Sequence, residues 1–138
     1  MTSRFIIESF WQKGANCAVV AVTKCLLLEY GTRGGLQIKK HGKYTVVTLP
    51  DEQVHSFTHK ELSHLNALNK IGFKRYKGKK NQSARSIKSF VRTCFAVLVR
   101  NMQLKGYEGK NYTEKAAIRI LTKEGVSTGW FHTLLGLT

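Results

Sequence analysis

Asn16-Cys17-Ala18-Val19-Val20-Ala21-Val22-Thr23-Lys24-Cys25-Leu26-Leu27-Leu28-Glu29-Tyr30-Gly31 decides the fold class. Apolar side chains occupy nearly every position of each turn, so the stretch predicts a central, buried helix starting at Cys17 and running to about Tyr30. Asn16 stands where an N-cap belongs, and Gly31 supplies the stop. Upstream, residues 1–15 read as a short lead-in anchored by Phe5, Ile6, Ile7, Phe10 and Trp11. Downstream, residues 36–57 read as a small antiparallel β element. Tyr44 to Leu49 is β-branched and aromatic, Pro50-Asp51-Glu52 turns, and Gln53 to Phe57 returns.

The rest of the chain reads as helix. Thr58-His59-Lys60-Glu61 has the pattern of a capping box opening a helix with Leu62, Leu65 and Leu68 on one face, closing near Gly72. Phe73 to Arg85 reads as a solvated loop, followed by a helix from about Ser86 to Leu104. Asn111-Tyr112-Thr113-Glu114 resembles a second capping box, and Ser127 or Thr128 is placed to cap a last short helix ended by Gly136. The expected fold is α+β, mainly helical, in a single domain over residues 1–138.

Composition sets bounds on function. A 42% hydrophobic content fills a core, and a single proline excludes collagen-like and proline-rich chains. No apolar run is long enough to cross a bilayer, and the N-terminus lacks the pattern of a secretory signal. Three widely spaced cysteines form no disulfide framework, so a reducing setting is expected, cytoplasmic or within a particle. Charge is the outlier: 23 Lys and Arg against 8 Asp and Glu give +15, which favours polyanionic partners.

Two stretches carry candidate chemistry. In Trp11-Gln12-Lys13-Gly14-Ala15-Asn16-Cys17 a thiol sits at a helix N-terminus, where the dipole favours the thiolate. Gly14 permits close backbone approach, and the Gln12 amide is placed to donate a second oxyanion hydrogen bond beside the Cys17 N–H. This pattern resembles the papain superfamily of cysteine peptidases, and within it the calpain-like branch. Residues 94–137 add a looser likeness, from Cys94 through Asn111-Tyr112 and Gly125-Val126 to Leu134-Leu135-Gly136. The resemblance implies Cys17 as nucleophile, Gln12 as oxyanion donor, and a peptide substrate. Ala18 and Val19 depart from the residues usual after the family's cysteine, and the family's histidine strand would follow where this chain ends. The chain would then be the cysteine-bearing half of a peptidase core, with His132 in Trp130-Phe131-His132 as the internal candidate for the base. Cys25 and Cys94 read as core. His55, His59 and His64 do not share one face, so no metal site is expected, and no cofactor is implied.

The second stretch is basic. No acidic residue occurs between Glu61 and Glu108, while Lys74, Arg75, Lys77, Lys79, Lys80, Arg85, Lys88 and Arg92 follow one another. Arg85, Lys88 and Arg92 fall on one helical stripe, and Tyr76 is available to stack on a base. No recognised nucleic-acid motif is present. On this reading the chain is a non-catalytic binding or structural protein that contacts nucleic acid or another polyanion such as an acidic protein, as in a phage or nucleoprotein particle. Its binding would be salt-sensitive and blind to base sequence.

Overall fold

The computed structural model describes residues 2–106, 109–124 and 129–137. The chain is α+β and mainly helical, with a small antiparallel sheet. Its elements run α1 (Ser3–Ser9), β1 (Phe10–Gln12), α2 (Cys17–Gly34), β2 (Gln37–His41), β3 (Tyr44–Thr48), β4 (Val54–Thr58) and α3 (His59–Leu68). Then come β5 (Ile71–Phe73), α4 (Lys80–Leu104), α5 (Glu114–Arg119), a π-helical turn (Ile120–Glu124) and α6 (Gly129–Leu134). Among the described residues no helix is long and apolar enough to cross a membrane.

A helix does begin at Cys17, and it buries Val19, Val20, Thr23, Leu26 and Leu27. Its other face, with Cys25 and Leu28, is exposed, so Cys25 is a surface residue and not the core residue the sequence suggested. An apolar pattern all round does not say how many faces find a partner. The helix leaves regular geometry at Gly31, whose φ of 70° lies in the left-handed region that suits glycine. Asn16 precedes it without making a side-chain cap.

The centre of the core belongs to α4. Ile87, Phe90, Val91, Cys94, Phe95, Ala96, Val97, Leu98, Val99 and Met102 are all buried along it, and α1, α2, α3, α5 and α6 pack against it. It begins at Lys80 and not at Ser86, so the second half of the expected basic loop is helical.

β2, β3 and β4 form an antiparallel meander in which Lys40 pairs with Thr45, and Thr45 with Phe57. Period-two alternation buries Val47, His55 and Phe57 on one face while Lys39, Tyr44, Val54 and Ser56 on the other are exposed. The capping box at Thr58 forms as read: the Glu61 N–H donates to Thr58 Oγ1 at 3.1 Å, and the Thr58 N–H to Glu61 Oε1 at 3.4 Å. The second box does not. Thr113 is the N-cap of α5, with its hydroxyl accepting from the Ala116 N–H at 3.2 Å. Asn111 instead donates to the Gln103 and Leu104 carbonyls, closing the end of α4. Gly125, Val126, Ser127 and Thr128 lie outside the described residues.

The short ladder β1–β5 was not legible in the sequence. Phe10, Trp11 and Gln12 pair with Phe73, Gly72 and Ile71, and the Lys74 N–H extends the ladder to the Ser9 carbonyl at 2.9 Å. This pairing fastens the N-terminal segment to the start of the basic segment, and both candidate sites depend on it.

Candidate functional site

The turn before Cys17 is held from two sides. The Lys13 N–H donates to the Lys70 carbonyl at 2.8 Å, and the Ala15 N–H to the Thr122 carbonyl at 2.9 Å. Asn16 Nδ2 donates to the carbonyls of Asn69 and Lys70, both at 2.9 Å, while its Oδ1 accepts from the Gly14 N–H at 3.3 Å. Asn16 is therefore a buried brace for the turn and not a helix cap. A Cβ at Gly14 would lie 2.9 Å from the Thr122 carbonyl oxygen, which accounts for glycine there. Cys17 is the first residue of α2 and is exposed, and its N–H is among the amides that a helix start leaves without an intrahelical partner. Gln12 is exposed on β1, opposite Ile71.

No general base meets this thiol among the described residues, where no side chain hydrogen-bonds its sulfur. His64 Nε2 lies 3.1 Å from Glu114 Oε1, and His55 is buried beside Phe57. The side chain of His132 lies outside the described residues. Cys94 is fully enclosed, and burial pushes its thiol well above the usual range. Among the described residues no three His, Cys, Asp or Glu side chains form a metal-binding set.

The basic segment is organised far more than a solvated loop would be. Beyond β5 the chain stays extended against α1. The Tyr76 ring packs on Phe5 with centroids 4.7 Å apart, and its hydroxyl is 3.4 Å from Ser9 Oγ. Lys74 Nζ sits over the Tyr76 ring at 5.2 Å. Lys88 Nζ and the Arg92 guanidinium both lie over Phe73, at 5.4 and 5.5 Å. The aromatic rings are thus ledges that hold cations in place. Tyr76, expected to stack on a base, is already engaged by Phe5 and Lys74.

Three neighbouring grooves run across this face. The first, of about 610 Å³, joins Arg4, Glu8, Lys74, Tyr76, Lys79 and Lys80. Its carboxylate, Glu8, is bonded to Arg4 at 2.9 Å, and that hydrogen bond with the accompanying charge attraction holds Glu8 below the usual carboxylate range. The second, of about 500 Å³, brings Lys13, Lys74, Arg75, Arg85 and Lys88 together around Phe73 and Tyr76, with no carboxylate in its lining. The third lies across the Arg85–Lys88 ridge and adds Arg92, Lys40 and His59. Of the expected basic residues only Lys77 lines none of the three, although it is exposed nearby. Lys13, Lys40 and His59 join the site only through tertiary packing. Lys39-Lys40-His41 was a faint compositional signal for one of them, and nothing marked the other two.

Electrostatically the face is uncompensated. Among the described residues none of Lys74, Arg75, Lys77, Lys79, Lys80, Arg85, Lys88 or Arg92 takes part in an ion pair. Burial lowers the Lys88 pKa, and the charges of Arg92 and Arg75 lower it further. Burial alone lowers that of Arg92. The N-terminus of α4 carries no acidic residue in its first turn and no side-chain cap, so its positive dipole end adds to the same field. Comparison of the chain with family models, curated proteins and solved structures finds no match.

Proposed function

We propose that this protein binds the sugar–phosphate backbone of nucleic acid through the cationic face built by β5, the segment after it and the N-terminal half of α4. One observation carries the reading: seven cations line one grooved face without an ion-pair partner among the described residues, at an uncapped helix N-terminus. Backbone amides and the dipole at such a terminus suit phosphate. An anionic membrane is a poorer fit, because the large exposed apolar residues, among them Trp11, Tyr30 and Leu104, line none of these grooves. The rings that would stack on bases already hold cations, so affinity comes from phosphates and ignores base identity.

A salt titration of DNA binding tests this. Replacing Lys77, Lys79, Lys80 and Arg85 with Gln is expected to weaken binding by orders of magnitude at low salt. It should also flatten the salt slope by about 0.9 for each lost phosphate contact on duplex DNA. Unrelated sequences should be affected equally. Superimposable titrations of variant and wild type would overturn the reading.

A second reading rests on the exposed position of Cys17 at the head of α2, above a braced turn. In it the chain is the cysteine-bearing half of a papain-superfamily, calpain-like core, with Cys17 as nucleophile, Gln12 as oxyanion donor and His132 as the remaining candidate base. A nucleophilic thiol needs a base within hydrogen-bond reach, and none of the described histidines hydrogen-bonds Cys17. The isolated chain is therefore expected to cleave no peptide. Iodoacetamide should label Cys17 and Cys25 and spare buried Cys94. Peptide cleavage lost in both Cys17→Ser and His132→Ala would make the chain a complete enzyme.

A further inference from the structure

We propose that the groove between α3, α4 and the β2–β3 ladder is a pocket for a phosphomonoester dianion, either the terminal phosphate of a nucleic-acid strand or a free mononucleotide. Lys40 reaches it from β2, His59 and Ser63 from α3, and Arg85, Lys88 and Arg92 from α4. No carboxylate lines it. Its volume of about 300 Å³ is at the small end for ligand pockets and suits one phosphoryl group with its sugar.

Two buried polar atoms here lack partners among the described residues. Arg92 Nε is buried and meets no acceptor among the described residues, and its guanidinium carbon lies 5.5 Å from the centre of the Phe73 ring. A buried donor left unmet costs about 1–3 kcal/mol, more when charged, so Arg92, which lines the groove, gains if a shift of its side chain presents the guanidinium to an anion there. Asn66 Oδ1, also lining the groove, is a buried acceptor without a donor. Cations flanked by the polar side chains of Thr45, Ser63, Asn66 and Ser89 match a phosphate carried on a hydroxylated sugar better than a bare inorganic anion. The crowding of Lys88 and Arg92 also favours the doubly charged monoester over a diester, which carries one charge.

The pocket shares Arg85 and Lys88 with the open face, so its strand-terminal form rests on the nucleic-acid reading, whereas the mononucleotide form does not. The probes are one short single-stranded oligonucleotide with a 5′-phosphate or a 5′-hydroxyl, compared by fluorescence anisotropy at fixed low salt, and AMP against adenosine by titration calorimetry. We expect the phosphorylated strand to bind about tenfold more tightly, the scale of one charge-assisted hydrogen bond. AMP should bind saturably where adenosine does not. Arg92→Gln should bring the phosphate-to-hydroxyl ratio close to one. Lys40→Gln, on the exposed rim, should lower the same ratio and keeps the test sound if the Arg92 variant fails to fold. The Lys77, Lys79 and Lys80 to Gln variant should weaken both strands and preserve the ratio. AMP binding without strand binding would support the mononucleotide source and refute the nucleic-acid face. Equal binding of the two strands together with no AMP binding would overturn the pocket.

Discussion

The two ends of α4 obey opposite electrostatic rules. At its C-terminal end Arg100 is paired with Glu61 at 2.6 Å, donates to the Ser56 carbonyl at 3.3 Å, and lies 4.3 Å from the centre of the Phe57 ring. Lys105 meets Asp51 at 3.3 Å. Each of these cations has a carboxylate. At the N-terminal end Lys79 and Lys80 stand against the helix dipole, and among the described residues Lys79, Lys80, Arg85 and Lys88 have no carboxylate partner. One helix, within one core, therefore carries a face arranged for folding and a face arranged against it. That unpaired end is the one to which the proposed binding function is assigned.

The largest expected effect would break this contrast outright. Neutralising Arg100 and Lys105 to Gln removes two charges from the paired end and should change DNA affinity little, whereas neutralising Lys79 and Arg85 should lower it by at least tenfold at low salt. Equal losses from the two double variants, measured by anisotropy, would mean that only net charge matters. Next in size is Asn101→Ala. Asn101 Nδ2 donates to the Leu134 carbonyl at 2.6 Å inside the core, docking α6 onto α4. Its loss should cost about 1–3 kcal/mol in urea unfolding and leave DNA binding unchanged.

A pH effect should also appear at the paired end. His55 is buried, its Nε2 has no hydrogen-bond partner among the described residues, and burial, followed by the charges of Arg100 and Lys105, lowers its pKa, with Asp51 opposing. The folded state then binds the proton less readily than the unfolded state does. Stability is full above the unfolded value of about 6.5 and falls as pH drops below it. Thermal melts of wild type should show this decline, and His55→Gln should flatten it. The smallest effect is the most discriminating. Lys80→Glu places an acid in the first turn of α4, so it should raise stability by about 0.3–1 kcal/mol and weaken DNA binding. A variant that loses both would show that the cations at this end serve the fold.

Much of the fold was legible because its signals are local. β-Branched and aromatic residues followed by a Pro-Asp-Glu turn marked β3 and β4, a Thr-x-x-Glu pattern marked the start of α3, and the apolar stripe of α4 was read to its C-terminal end. The cationic run was legible as composition, and seven of its eight named residues line the three neighbouring grooves. The misreadings share a cause. Asn16 and Asn111 were read as caps because asparagine so often caps, but their amides serve carbonyls far along the chain or on another helix. Cys25 was read as core because it lies in an apolar helix, yet it is exposed.

The sequence by itself determined the α+β class, the helix that begins at Cys17, the small antiparallel β element within residues 36–57, and the excess of positive charge. These follow from spacing and sterics within a few residues. Only the tertiary structure decided which helix is central, that β1 pairs with β5, and that Phe5, Phe73 and Tyr76 hold the basic side chains in ranks. It also brought Lys13, Lys40 and His59 to the face that Arg85 and Lys88 divide. Such contacts join residues distant in the chain, and their free energy depends on which surfaces are left to meet once the local elements have formed, a choice that no short window of sequence contains.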